Sequence, residues 1–560
     1  MDVTSTPLGY SALISNTAQS RNAATSASTA HSLDTAEVQA ELAAPALPTM
    51  IPSQSQSLTP ISTAPATIVT IGKSYEPPQV YEEPVVVNLL RDKSHSSPAT
   101  TTTSQALLNS FTLLSEKKAT FFSVSSMFSQ VGALSRETNE YRNEVRKFYL
   151  PKNITTEKFE PNFSNSAGVR AESVFLTVKT RDGDSIQIQF SRNMSGRETS
   201  QMAFSFLVDG ELSEKEQNDL EKLTAKLGAM GDEFFRVDTT ELRGLKDVDT
   251  DSIRSFKFTL QRPDPVNKTY VEHTYEFSID EATQTRHLVA TDVRGYSVDI
   301  KSQLQTLTKN SVLDIKLFQQ YIDLIIQATD DSDTPNASKR FMLDAFESMF
   351  SEYFSSARAG QEQVRGNDGG GQVDGSQIEE SRAEDALAAF DSGMPDFDAT
   401  FRSPVFHNPN YYAQVESMVL TLEQHTRVEE KGHDVLVKQE SSYRLIDHSF
   451  ENFSVNTRDD FENLGGGYTY SVVQEAGSIS RFLSMTNDVV NNIWIEQDAD
   501  KAVRKTRFEN YKLVDEDAYA YADRRIQEFS ELLRKYNANN QHLAVEDLLF
   551  SSKEKLFLTI

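Results

Sequence analysis

Asp247, Asp249 and Asp251 alternate along the stretch KDVDTDS, and this is the oxygen spacing with which a calcium loop begins. Asp238 stands close enough upstream to add another carboxylate. These three aspartates are the candidate metal ligands, and calcium is the candidate cofactor. The pattern then departs from such a loop. Ser252 occupies the position that needs glycine, and Phe258 the position that needs a bidentate glutamate. The plainer reading of the same residues is a solvated turn whose carboxylates cap neighbouring elements. Asp330, Asp331 and Asp333 read in the same plain way, as a loop between helices with a cap.

The histidines offer a second chemistry. His425 and His433 flank Glu429 and Glu430, and His448 follows Asp447. Two imidazoles on neighbouring strands could hold a metal, and His425, His433 and Glu430 could form an enzyme site. Their spacing does not match the helical His-Glu-x-x-His zinc motif, and surface or cross-strand histidines are the plainer alternative. There is no Gly-x-Ser-x-Gly elbow for a serine hydrolase. Gly72-Lys73-Ser74 ends like a phosphate-binding loop, but Thr67 replaces its first glycine and Pro77-Pro78 replace the helix that should follow. Paired carboxylates say little in so acidic a chain, and no residue is assigned a catalytic role.

Composition narrows the classes. The chain of 560 residues carries a net charge of -27, which argues against nucleic acid or an anionic membrane as partner. It has no cysteine, so disulfides, thiolate zinc sites, iron–sulfur clusters and cysteine catalysis are excluded. Hydrophobic residues make up 38% and mean hydropathy is -0.48, low enough to predict a sizeable unfolded part. No apolar run approaches the length of a membrane helix, and the N-terminus lacks the basic and apolar regions of a secretory signal.

The elements that would position any site are clearest between Ala203 and Leu260. Phe204, Phe206 and Val208 alternate as in a half-buried strand, and Asp209-Gly210 turns the chain. Ser213 with Glu216 is a capping box. Leu220, Leu223, Leu227, Met230 and Phe234 then form one helical stripe, and Gly228 and Gly231 leave room for close packing. Phe256, Phe258 and Leu260 alternate again.

Around that centre the chain divides by composition. Residues 1–105 are rich in Ser, Thr, Ala and Pro and are expected to be disordered, with Val85–Leu90 as a short docking strand or helix. Residues 106–150 read as an amphipathic helix, its stripe running from Phe121 through Leu134 to Tyr141, Val145 and Phe148. Residues 171–302 read as an α+β domain, opened by a hairpin around Asp182-Gly183. A helical pair follows over 311–358, with Pro335 at the start of its second helix. Residues 359–395 are a flexible linker. Residues 396–560 read as a β-rich domain ending in a helix from Asp515, on which Tyr519, Ala522, Ile526, Phe529, Leu533 and Tyr536 step by three and four. The expected class is therefore α+β, an antiparallel sheet with a packed helix, beside a second β-rich domain.

The Asp209-Gly210-Glu211-Leu212 turn, the leucine helix, Asp232-Glu233-Phe234-Phe235, and Asp251 leading to Phe256, Phe258 and Leu260 together resemble an uncharacterised domain family of Gram-negative bacterial proteins. The likeness covers residues 203–260 and departs from the family at the less apolar segment VDTTELRGLKDV. It implies a bacterial origin and a fold, with no activity attached. The expectation is a non-enzymatic interaction or structural protein with a protein partner. It would be cytoplasmic, or exported without a cleaved signal. A calcium-stabilised binding module and an enzyme with a site in the C-terminal domain are the alternatives.

Overall fold

The computed structural model describes residues 85–92, 103, 123–150, 171–195, 199–237, 252–264, 269–305, 315–350, 392–451, 467–487, 489–531 and 533–534. The strands are β1 (Val85–Asp92), β2 (Glu140–Leu150), β3 (Ala171–Thr180), β4 (Ser185–Ser195), β5 (Thr199–Asp209), β6 (Ile253–Asp264), β7 (Thr269–Asp280), β8 (Thr285–Thr291) and β9 (Ser297–Gln303), then β10 (Phe397–Arg402), β11 (Phe406–His407), β12 (Val415–Lys431), β13 (Asp434–Glu451), β14 (Tyr468–Thr486), β15 (Val489–Glu509) and β16 (Lys512–Glu528). The helices are α1 (Val124–Phe128), α2 (Val131–Glu137), α3 (Glu214–Val237), α4 (Ile315–Asp331) and α5 (Asn336–Met349). All lie in one compact unit, Glu82–Ile560.

Fifteen strands form one antiparallel sheet in the order β1-β2-β5-β4-β3-β6-β7-β8-β9-β10-β12-β13-β14-β15-β16, and β11 pairs separately with β12. With 57% strand against 24% helix among the described residues, the class is mainly β, and this corrects the expected α+β. The reason is pairing that crosses long stretches of sequence. β9 and β10 join antiparallel, Ile300 opposite Ala399 and Val298 opposite Phe401, so the sheet continues from one side of the glycine-rich segment to the other. Four strands of 17–21 residues then extend it from β13 to β16.

Register sorts the side chains onto two faces. Val174, Leu176 and Val178 stand beside Phe190, Ile188 and Ile186, and beside Leu260, Phe258 and Phe256. Tyr275, Ala290, Val298, Phe401, Leu420 and Leu445 continue the same face strand by strand. These side chains are buried, because the helices lie on this face. The opposite face carries His287, Lys301, Asp398, Glu423 and Ser442 and is open to water, the usual division of an antiparallel sheet with one covered side.

The helical stripe behaves as its spacing predicts. Leu220, Leu223, Leu227, Met230 and Phe234 are all buried. Ser213 accepts from the Glu216 amide while the Glu216 carboxylate accepts from the Ser213 amide at 2.7 Å, so the capping box forms. The short α1 crosses α3 where the glycines are: a Cβ on Gly231 would stand 2.6 Å from Val124, and one on Gly228 2.9 Å from the Ser125 backbone. Asp232 accepts from the Ser125 amide, and Phe128 meets Phe258 at 6.0 Å. Farther along the covered face, α4 and α5 bring Phe318, Tyr321, Phe346 and Phe350 against Phe397 of β10.

Two other expectations give way, and the strand alternative for Val85–Leu90 holds. In the described part of 106–150 the helix is confined to α1 and α2, and Tyr141, Val145 and Phe148 lie in β2, which pairs with both β1 and β5. Val85–Leu90 belongs to β1. The helix from Asp515 is instead β16, hydrogen-bonded to β15, and only residues after Phe529 begin to coil. Tyr519, Ala522 and Ile526 fit a helical spacing, but nothing covers a stripe there. All of β16 is exposed, and extended pairing satisfies its backbone. Gly72-Lys73-Ser74, residues 359–381 and Leu556–Ile560 lie outside the described residues.

Candidate functional site

Asp247, Asp249 and Asp251, the candidate calcium ligands, lie outside the described residues, as does Asp238. The histidine set is dispersed. His433 sits in the hairpin turn between Lys431 and Asp434, and Glu430 is five residues along β12 from His425. At about 3.3 Å per strand residue, that is roughly 16 Å. His448 points to the face opposite its neighbour Asp447 and meets Tyr470, its ring edge-on at 6.2 Å. Burial pushes its imidazole below the usual range.

His425 gains different partners, which sequence reasoning missed. Asp398 of β10 stands directly opposite Glu423 of β12, and His425 follows Glu423 on the same face. The His425 Nε2 lies 3.1 Å from Asp398 Oδ1, and the three ligand atoms lie within 4.8 Å of one another. The hydrogen bond to Asp398 raises the imidazole above its ordinary value, with further help from the charges of Asp398, Asp396 and Glu423. Ser442 donates to Glu423 at 3.3 Å. His287 and Asp299 make a second histidine–carboxylate pair at 2.8 Å on the same open face. Alternation through Thr421, Glu423 and His425 was visible in the sequence; the pairing with β10 was not.

A third group lies on the covered face. Asp447 is 3% exposed, and Asp331 at the end of α4, Asp333 in the α4–α5 connection and Glu416 all bear on it. Burial pushes the Asp447 carboxyl up to about 7, Ser449 opposes this with a hydrogen bond, and the three carboxylates push it further up. Asp330 turns away and pairs with Lys339. Burial and the neighbouring carboxylates favour the protonated form of Asp447, and the expected helix-connecting loop is present, with Asp331 ending α4 and Asp333 lying between α4 and α5.

The largest departure from an ordinary surface is at the end of the sheet. Every residue of β16 is exposed, and Leu513, Val514, Tyr519, Tyr521 and Ile526 put large apolar groups into water on both faces. Among the described residues, β16 pairs only with β15. A bond from the Phe529 amide to the Ile493 carbonyl sets the phase of that pairing. Odd-numbered residues of β16 turn their backbone groups toward β15, and even-numbered ones turn them outward. Among the described residues, the strand therefore leaves a row of donors and acceptors turned outward without a partner strand.

No helix among the described residues is long and apolar enough to cross a membrane. No family model matches the chain, and no curated protein matches it.

Proposed function

We propose that this chain is a non-enzymatic interaction protein that binds a protein partner through the end of its sheet. The observation that supports the reading is β16, open on both faces and along its outer edge, with aromatic and aliphatic groups exposed. Natural edge strands are normally short, covered or interrupted, because a long free edge templates another strand. Strand addition uses this geometry: main-chain bonds give affinity, and alternate side chains give specificity. Replacing Tyr519 or Tyr521 with a photo-activated phenylalanine in the full chain tests it inside the native host. A covalent protein adduct at these positions, absent from a control at exposed Tyr412, is expected. Labelling no stronger than at Tyr412 overturns the reading.

A second reading has its own support. Asp398, Glu423 and His425 could hold a divalent ion of the zinc type on the open face. Ligand atoms around tetrahedral zinc lie about 3.3 Å apart, given bond lengths of about 2.0–2.1 Å. The 4.8 Å limit on the three groups needs only small side-chain rotations to reach that. Binding to the folded state alone would raise the melting temperature with zinc and lower it again with chelator. The His425→Ala variant is expected to lose that response, and an identical response in the variant rules this site out.

A further inference from the structure

The outer edge of β16 is written for a second copy of itself. We infer that two chains pair β16 to β16, antiparallel, about a two-fold axis through Ala520. This rests on the reading of β16 as an interaction edge and names the partner.

The argument is the sequence of the strand when folded back on itself. With Ala520 opposite its own symmetry mate, Tyr519 meets Tyr521 and Ala518 meets Ala522. Glu516 then meets Arg524, and Asp515 meets Arg525. Each pair occurs twice, once on either side of the axis, as an isologous contact requires. Three acids at 515–517 lie before the axis, and both arginines lie after it beside Asp523, so a parallel pairing would set acid against acid at 515–517 and arginine against arginine at 524–525. The small side chains of Ala518, Ala520 and Ala522 fall on one face and the tyrosines on the other, where they already touch within the chain at 5.8 Å.

Backbone phase agrees. Even-numbered residues carry the outward groups, so Ala520 and its mate exchange both N–H···O bonds, and Ala518/Ala522 and Glu516/Arg524 continue the ladder. Tyr519/Tyr521 and Asp515/Arg525 become the closer, non-bonded pairs, where side chains interact most. The irregularity in pairing with β15, where Phe508 moves to Leu513, lies just outside this segment and leaves 515–525 regular.

Charge on an edge strand is ordinarily a guard against pairing. Here the charges match rather than repel, with one exception: Asp517 meets Asp523. Arg525 lies 3.1 Å from Asp523 in the same chain and offsets that contact. Glu516 and Arg524 already hold exposed pairs with Arg504, Glu496 and Asp498. Such pairs are weak in water and exchange partners readily.

Sedimentation equilibrium of the full chain over a range of concentrations tests the inference. The expected result is a reversible species of twice the 62.8 kDa chain mass. Ala520→Pro removes an outward N–H that β15 does not use, so the fold keeps its circular dichroism while the dimer is lost. Asp515→Arg and Arg525→Asp, each alone, put like charges face to face and weaken the dimer about tenfold or more. An equimolar mixture of the two variants re-forms a mixed dimer, because position 515 of each chain then faces the opposite charge at position 525 of the other. A wild type that is monomeric throughout overturns self-pairing, as does a dimer indifferent to Ala520→Pro or a mixture that fails to associate. Heterologous protein adducts at Tyr519 in a chain that stays monomeric leave the interaction reading standing and remove only the second copy.

Discussion

Acidification sets two buried groups against each other. His273 is 0% exposed, stands opposite Leu260 and lies edge-on to Phe341. Burial pushes its imidazole down to about 3 from an ordinary 6.5, against a hydrogen bond to the Thr291 backbone. A lowered value means that the unfolded chain takes the proton first. The contribution of neutral His273 is therefore complete above 6.5 and is lost as the pH falls toward 3. Each unit below 6.5 costs about 1.4 kcal/mol, so pH 5 costs about 2 kcal/mol. Asp447 works the other way. Its folded value of about 7 lies above the ordinary 3.8, so the folded chain takes the proton first. That stabilisation is complete below 3.8 and is lost as the pH rises through 7; between pH 7 and pH 5 it grows by about 2 kcal/mol. The two slopes nearly cancel in the wild type. Removing one exposes the other. Relative to wild type, His273→Asn is expected to gain about 2 kcal/mol on going from pH 7 to pH 5, and Asp447→Asn to lose about as much. Urea unfolding at both pH values, followed by the single tryptophan and by circular dichroism, measures this. Both variants lose packing or hydrogen bonds at any pH, so only the change in their difference from wild type counts. If that difference is the same at pH 7 and pH 5 for both, neither group titrates in the way its burial dictates.

Ser213→Ala opens the capping box of α3 and should cost about 1 kcal/mol in the same unfolding assay, while Ser213→Asp retains most of the stability. Gly477→Ala places a Cβ 2.3 Å from the ring of Tyr443, whose hydroxyl is fixed on Glu475, and overpacking should cost about 1–3 kcal/mol. In that background Tyr443→Ala should cost less than it does in wild type, and equal costs in the two backgrounds would show that ring and glycine are not coupled.

What the sequence disclosed was local. Asp182-Gly183 and Asp209-Gly210 turn at the expected places, with both glycines at positive φ. Ser213 and Glu216 cap each other, and the stripe from Leu220 to Phe234 is buried without exception. All of these are decided within a few residues. The union of β9 with β10 is not, because nothing near Ile300 encodes Ala399 as its neighbour. The Asp398–Glu423–His425 group depends on such a pairing, since its members come from two strands and only register makes them neighbours. His425 and His433, by contrast, are held apart by the extended run of β12, with His433 in the turn beyond its end.

β16 went unread for a different reason. Its residues satisfy two periods at once: Tyr519, Ala522 and Ile526 suit a helix, and Tyr519, Tyr521 and Asp523 suit one face of a strand. Periodicity decides between the two only when one face is buried, and here neither is. What settles the strand is its neighbour: β15 offers a full row of backbone partners from Trp494 to Glu509. Inside the monomer β15 answers these charges across the ladder: Arg507 stands opposite Asp515, Lys505 opposite Asp517 and Asp498 opposite Arg524. That pairing does not require that Asp515 and Glu516 before Ala520 be matched by Arg525 and Arg524 at the same distances after it. An edge that meets its own copy does demand it, since each charge then faces the residue equally far on the other side of the axis.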